Sequence, residues 1–270
     1  MGIDSECHLM FTYIGDPIFN RKDTLIVIYQ NCVSYNNYGC SQYVVEKYPY
    51  GDVAGRRKPC DFLKSISREE DRGHMGDCII KGPPEDVQGP TIATLMTQFG
   101  IGRPLETNNI AQKIVENSKN LNLVYRLKND TSEGRQLSFS HSMFKLTFSL
   151  ARINKDHIKN IVIPVGIGKS GSIDDVWLTK YLPVIHKFSN EMKEFDKRVI
   201  LISSEEVQNC LHQKYSDRSD EVAQYYRSLF VNLPLVHRYE FLCNDVTNHQ
   251  DLEEEDTNFV INENASFLPM

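Results

Sequence analysis

The residues best suited to chemistry run Lys159-Asn160-Ile161-Val162-Ile163-Pro164-Val165-Gly166-Ile167-Gly168-Lys169-Ser170-Gly171-Ser172. A β-branched apolar run ends in a glycine-rich turn, and Asp174-Asp175-Val176-Trp177 then opens a helix. Strand, glycine turn and helix N-terminus together make an anion site. The glycines let the backbone approach a phosphate, and the first helical N–H groups point at it. Gly168-Lys169-Ser170 imitates the end of the P-loop signature G-x-x-x-x-G-K-[ST]. Ile163 stands where that motif needs its first glycine, so the chain is still extended where it would have to curl into a phosphate cradle. A P-loop NTPase stays open as an alternative. So does an ordinary strand-to-helix turn that holds no ligand.

Three upstream segments carry further candidates. In Tyr13-Ile14-Gly15-Asp16-Pro17-Ile18-Phe19 a carboxylate sits just past an apolar run. Asp16 can accept a hydrogen bond from the exocyclic amine of a base, although taken alone it reads more simply as an Asx-turn residue. Ile28-Tyr29-Gln30-Asn31-Cys32-Val33-Ser34-Tyr35-Asn36-Asn37-Tyr38-Gly39 runs from a strand into an Asn-rich loop with one glycine, and a helix over 41–47 follows. Asn and Ser side chains both donate and accept hydrogen bonds, which suits ribose hydroxyls. The same Asn residues also suit a loop that needs left-handed backbone. The run 91–100 delivers Gln98 and Phe99 to the C-terminal end of a buried strand, the edge where open α/β sheets bind ligands.

The elements that must position these residues alternate. Strand patterns fall at 8–14, 24–30, 91–98, 160–165, 198–203 and 239–243, several of them nearly continuous apolar runs as in strands covered on both faces. Phe139, Met143, Leu146 and Leu150 share a helical face, as do Trp177, Tyr181, Ile185, Phe188 and Met192, with Pro183 a kink or interruption. One or two more helices read over 205–230. This alternation predicts an α/β domain with a mostly parallel sheet. A long polar segment, 48–89, separates the second and third expected strands, and 108–129 reads as an inserted helix. The acidic run Asp251-Leu252-Glu253-Glu254-Glu255-Asp256 reads as solvated surface.

The chain has 270 residues, 40% hydrophobic and 24% charged, which suits a soluble globular protein with one large core, or one domain with a substantial appendage. Its net charge of −6 argues against a broad nucleic-acid surface, which needs a basic face. No apolar stretch is long enough to span a bilayer, so no membrane partner is expected. Met1-Gly2-Ile3-Asp4-Ser5-Glu6 lacks the regions of a signal peptide. Seven scattered cysteines then read as reduced thiols in a cytoplasmic type of compartment. Cys60, His74 and Cys78 fit no strong zinc spacing, so neither metal nor cofactor is expected.

Taken in order, the four motifs resemble the macrodomain family, nearest the branch of terminal ADP-ribose protein glycohydrolases and the yeast ADP-ribose-1″-phosphate phosphatase. Gly15-Asp16-Pro17-Ile18 is similar to the family's first Gly-Asp turn, and Asn31-Cys32-Val33-Ser34 through Gly39 to its second strand and glycine loop. Pro164-Val165-Gly166-Ile167-Gly168 and Gly171 to Trp177 resemble its late Pro-x-x-Gly-x-Gly turn. Tyr48-Pro49-Tyr50, Asp52, Arg56-Arg57 and Thr97-Gln98-Phe99-Gly100 resemble a macro-like group found often in large DNA viruses and phages. The resemblance covers residues 8–205. It implies a three-layer α/β/α domain with inserted loops at 48–89 and 104–134, and leaves 206–270 as an extension able to hold a protein partner.

The resemblance also implies a ligand, ADP-ribose or an ADP-ribosylated protein, and roles for the residues. Asp16 would bind the adenine amine and Ile18 the ring edge. Asn31, Ser34 and the loop at Gly39 would line ribose and diphosphate, with Gln98 and Phe99 at the neighbouring strand end. Gly166, Ile167, Gly168, Lys169, Ser170 and Gly171 would cradle the diphosphate. The hydrolase branch uses a lysine nucleophile at the end of the third expected strand, where this chain has Gln98. An amide has no nucleophilic amine, so a covalent lysine route does not transfer. That leaves Asp174 or Asp175 as the acid/base, activating water or deprotonating a ribose hydroxyl. Both also suit the first turn of any helix through its dipole. An ADP-ribosyl or ADP-ribose-phosphate hydrolase, a non-catalytic reader and a structural protein that has lost the pocket are the three readings.

Overall fold

The computed structural model describes residues 9–12, 17–32, 39–51, 73–99, 103–152, 157–164 and 176–202. The chain divides into two units, Met1–His237 and Arg238–Met270, and every described residue belongs to the first. Among these residues six strands form one sheet: β1 (Leu9–Thr12), β2 (Thr24–Asn31), β3 (Cys78–Lys81), β4 (Thr91–Gln98), β5 (Asn160–Pro164) and β6 (Arg198–Ile202). Their order is β1-β6-β5-β2-β4-β3. Every neighbouring pair is parallel except β3 with β4. The helices are α1 (Gly39–Lys47), α2 (Asn109–Asn117), α3 (Leu121–Asn129), α4 (Ser132–Arg152) and α5 (Leu182–Lys193). The fold is therefore α/β with a mixed, mostly parallel sheet.

Both faces of the central strands are covered, which explains their continuous apolar runs. Leu25, Val27, Leu95, Ile161, Ile163 and Leu201 point to one face, under Phe139, Met143 and Leu146 of α4 and Ile185, Phe188 and Met192 of α5. Ile26, Ile28, Ile92, Val162 and Ile200 point to the other, under Val44 and Val45 of α1 with Phe19 and Tyr48. This gives three layers. Phe139 is fully buried between Tyr29 and Tyr181, with ring centroids at 6.0 and 4.9 Å. Burial of a ring of that size contributes roughly 2–3 kcal/mol.

The strands expected over 8–14, 24–30, 91–98, 160–165 and 198–203 correspond to β1, β2, β4, β5 and β6. The elements expected over 205–230 and 239–243 lie outside the described residues. β3 is an addition: a four-residue antiparallel edge strand inside the polar segment, too short to show alternation. Gly73 (φ 90°) and Gly76 (φ 89°) take left-handed backbone and turn the chain onto β4, where the Gly76 N–H donates to the Met96 carbonyl at 2.7 Å. The insertion expected as one helix over 108–129 is two, α2 and α3. Asn108 accepts from the Ala111 N–H and Asn120 from the Leu123 N–H, each at 3.0 Å, so each helix has its own N-cap. Pro183 falls in the first turn of α5, after a wide π-turn over Trp177–Tyr181, where a missing N–H costs little.

Candidate functional site

Because β1, β2, β4 and β5 run parallel within one sheet, all four end at the same edge. The chain leaves them at Thr12, Asn31, Gln98 and Pro164, immediately ahead of or within the four motifs singled out from the sequence. Asp16, Ser34, Gly166, Ile167, Gly168, Lys169, Ser170, Gly171, Asp174 and Asp175 lie outside the described residues. Ile18, Asn31, Gly39, Gln98 and Phe99 are described.

Asn31 and Gln98 are brought together. Gln30 pairs with Met96 but Asn31 pairs with Gln98, so Thr97 is an extra residue on β4 and the ladder carries a bulge there. Bulges re-aim side chains at strand ends. The Cys32 N–H closes the ladder on the Gln98 carbonyl at 3.0 Å, and both Asn31 and Gln98 remain half-buried. Gly39 opens α1. Two residues on, the Ser41 hydroxyl accepts from the Tyr29 N–H and donates to the Tyr29 carbonyl, both at 3.2 Å, which pins the start of α1 to β2. Ile18 is half-buried and packs on the α1 side of the sheet with Phe19, Val44 and Val45.

Phe99 is 1% exposed and belongs to a third apolar cluster with Cys32, Met96, Ala111, Leu123 and Leu127, which seats α2 and α3 against the ends of β2 and β4. The Arg126 guanidinium lies over the Phe99 ring, 4.4 Å from its centroid, and Nη2 reaches the Gly73 carbonyl at 3.4 Å. Burial pushes the Cys32 thiol up to about 12 while neighbouring Arg126 pulls it down. Cys32 is therefore a protonated core thiol at neutral pH, not a nucleophile. Arg126 was not singled out from the sequence. Its place three residues after Leu123 and one before Leu127, both buried, is the signal that sets it beside the apolar face. Arg103 is exposed, and Arg56 and Arg57 lie outside the described residues.

The N-terminus of α4 is occupied by the chain itself. The Glu106 carboxylate accepts from the Ser132 N–H at 2.9 and 3.2 Å, and Thr131 Oγ1 accepts from the Gly134 N–H at 2.9 Å. Beside it, Arg135 holds Asp130 through two hydrogen bonds of 2.7 and 3.0 Å, with the side chains 13% and 3% exposed.

The Tyr48-Pro49-Tyr50 motif serves the scaffold. Tyr48 Oη lies 2.8 Å from the Phe19 carbonyl and 2.7 Å from Asn20 Oδ1, and Tyr50 Oη donates to the Pro90 carbonyl at 2.5 Å. Burial raises both phenols, Tyr50 to about 12. A Cβ on Gly51 would meet Ile92 at 2.8 Å, so the chain after the motif lies directly on β4. His74 Nδ1 is 3.8 Å from Asp77 Oδ2, and among the described residues no three His, Cys, Asp or Glu side chains gather as metal ligands. Cys60 lies outside them. No described helix is long and apolar enough to cross a membrane.

The solved structures similar to this chain include a macrodomain and a viral protein. One is the macrodomain of Mycobacterium tuberculosis DarG, at 14% identity and TM-score 0.40, covering 72% of this chain and 96% of that one. The other is alphavirus P23pro-zbd, at 12% identity and TM-score 0.40, covering 81% of this chain and 26% of that one. No family model and no curated protein matches the chain. At these values neither likeness bears on what the chain binds.

Proposed function

We propose that the C-terminal edge of the sheet binds ADP-ribose or a related adenine nucleotide, and that the binding domain spans residues 8–205. The observation that carries this reading is topological: four motifs suited to base, ribose and diphosphate follow strands that end at one edge. Asp16 takes the adenine amine and Ile18 the ring edge. Asn31 and Ser34 meet ribose hydroxyls, with Gln98 beside Asn31. The turn 166–171, with Lys169, cradles the diphosphate, helped by the start of α1. The chain's negative charge does not oppose this, because backbone N–H groups supply most of the positive potential. The scattered cysteines, with Cys32 and Cys78 outside any disulfide among the described residues, support a reducing, cytoplasmic compartment. Residues 206–270 would serve a protein partner.

For turnover, Asp174 or Asp175 acts as general base on a water that attacks the anomeric carbon of an ADP-ribosyl linkage, or the phosphorus of a phosphorylated ADP-ribose. A second reading, a reader without turnover, is favoured by Gln98 at the end of β4, which supplies no nucleophilic amine. Calorimetry with ADP-ribose tests the pocket, and heat of binding is expected; none at millimolar ligand removes the nucleotide reading. Incubation with mono-ADP-ribosylated protein then separates hydrolase from reader. Release that survives both Asp174→Ala and Asp175→Ala would sink the acid/base assignment. Mg²⁺-dependent ATP binding lost in Lys169→Ala would instead favour a P-loop enzyme.

A further inference from the structure

The helix α4 buries Phe139, Met143, Leu146 and Leu150 and turns three more large apolar side chains outward. Leu137 is 57% exposed, Phe144 70% and Phe148 47%, with exposed His141 among them. Isolated exposed apolar side chains need no explanation, but a stripe along one helix face marks a docking surface. At 100° per residue, Glu133, Leu137, His141, Phe144, Phe148 and Arg152 fall on one side of the helix, opposite the buried set. Their spacing is four, four, three, four and four residues, which reads the same in both directions about a point between Ser142 and Met143.

That symmetry selects the occupant. When a second α4 is laid antiparallel across the first about a two-fold axis at this point, Glu133 faces Arg152 of the other copy. Leu137 faces Phe148, and His141 faces Phe144. Opposite charges meet at both ends with apolar side chains between them. A parallel pairing would instead set Glu133 against Glu133 and Arg152 against Arg152. The Arg152 guanidinium already lies along the stripe, 4.2 Å from the Phe148 ring centroid. Lys145, on the flank, is held by Asp77 at 2.6 Å. The other flank carries Ser140, Thr147 and Ala151, small side chains that admit a close approach.

We propose that the protein self-associates as an isologous pair through the outer face of α4. Two 21-residue helices side by side reach at most the lower end of stable interfaces, roughly 1,200 Å² in total, so the pair exchanges with monomer. Sedimentation velocity on the full chain across the micromolar range tests it, and a concentration-dependent monomer–dimer equilibrium is expected. Phe144→Glu should leave the circular dichroism spectrum unchanged and the chain monomeric. Glu133→Arg and Arg152→Glu should each weaken the dimer about fivefold, as expected of two surface ion pairs, and the double charge swap should restore it. A chain that stays monomeric at every concentration overturns the proposal. So does a dimer indifferent to Phe144→Glu, or a double swap that does not rescue the singles.

Discussion

At the edge where β2, β5 and β6 begin, the described chain is tied down by its own hydrogen bonds; at the edge where β2, β4 and β5 end, the strands lead into the four motifs. On the first side the N–H groups of Lys159 and Asn160 both donate to the Asp23 carbonyl, at 2.8 and 3.0 Å, and Arg198 donates to the Lys159 carbonyl at 2.9 Å. Lys197, only 4% exposed, lays its ammonium on the Ile158 carbonyl at 2.8 Å. On the second side a bulge brings half-buried Asn31 and Gln98 together, and the connection after β4 is long enough to hold α2 and α3. Polar side chains appear at both ends. At the sealed edge Lys197 satisfies backbone, whereas at the open edge Asn31 and Gln98 stand half-buried where their strands lead into the motifs. That difference, more than any one motif, is the ground for proposing the site at the open edge.

The largest test of this contrast removes what holds the open edge in place. Arg135→Ala leaves the Asp130 carboxylate buried without its bidentate partner, and Asp130 also carries the backbone hydrogen bond from Leu105 at 2.8 Å. Loss of one partner of a buried pair costs about 3–5 kcal/mol. Urea unfolding should show that loss. A change below about 1 kcal/mol, the size of an exposed pair, would mean that the insertion is not anchored there.

Arg126→Met should have a smaller effect on stability and a separate one on binding. It removes the charge over Phe99 and the contact to the Gly73 carbonyl, about 1 kcal/mol together. If the open edge is the nucleotide site, ADP-ribose affinity should also fall about tenfold, as expected for loss of a charge-assisted contact. Lys197→Met, at the sealed edge, should alter stability alone. Equal affinity losses in the two variants would erase the contrast between the edges.

Much of this was legible in the sequence, for particular reasons. β2, β4 and β5 declare themselves because strands buried on both faces are apolar throughout, and α4 because its buried residues keep a helical period. β3 was hidden because four residues of an edge strand carry no period. The break between α2 and α3 was hidden because Ser118-Lys119-Asn120 reads as well inside a helix as at a cap. For the site, the sequence indicated Asn31 and Gln98 but not their pairing, which depends on the bulge at Thr97. It placed Phe99 among the candidate ligand residues but gave no sign that its ring packs in the cluster beneath Arg126. Arg126 stands in no motif, and only the packing of α3 brings it to the strand ends.

A weaker probe is the latch beside β3. Burial pushes the Asp77 carboxyl up, but the Lys145 ammonium at 2.6 Å and the His74 N–H at 2.7 Å hold it below the usual carboxylate range. A lowered folded value gives stability that is present above the unfolded value, about 3.9, and lost as pH falls through the folded one. With Lys145 half exposed, the gain is discounted to about 0.5–1 kcal/mol. The melting temperatures of wild type and Asp77→Asn should therefore differ at neutral pH and converge in acid. A gap that widens as pH falls would reverse the assignment.

The smallest expected effect lies at the sealed edge. Thr24 and Asn160 are register partners on β2 and β5, both fully buried, and among the described residues neither side chain finds a hydrogen-bond partner. They point toward the α1 side, next to Ile26 and Val162. An unpaired buried amide costs its desolvation with little return, whereas an apolar group of the same shape costs almost nothing. Asn160→Val stays nearer the volume of Asn than Leu would and suits a strand, and should leave stability within about 0.5 kcal/mol of wild type, or raise it by up to about 1 kcal/mol. Destabilisation beyond that in urea unfolding would show the Asn160 amide held by a group the described residues do not include. The edge where the strands begin would then carry a polar cluster of its own. Sealing alone would no longer distinguish the two ends of the sheet, and assignment of the site to the open end would rest on Asn31, Gln98 and the motifs beyond them.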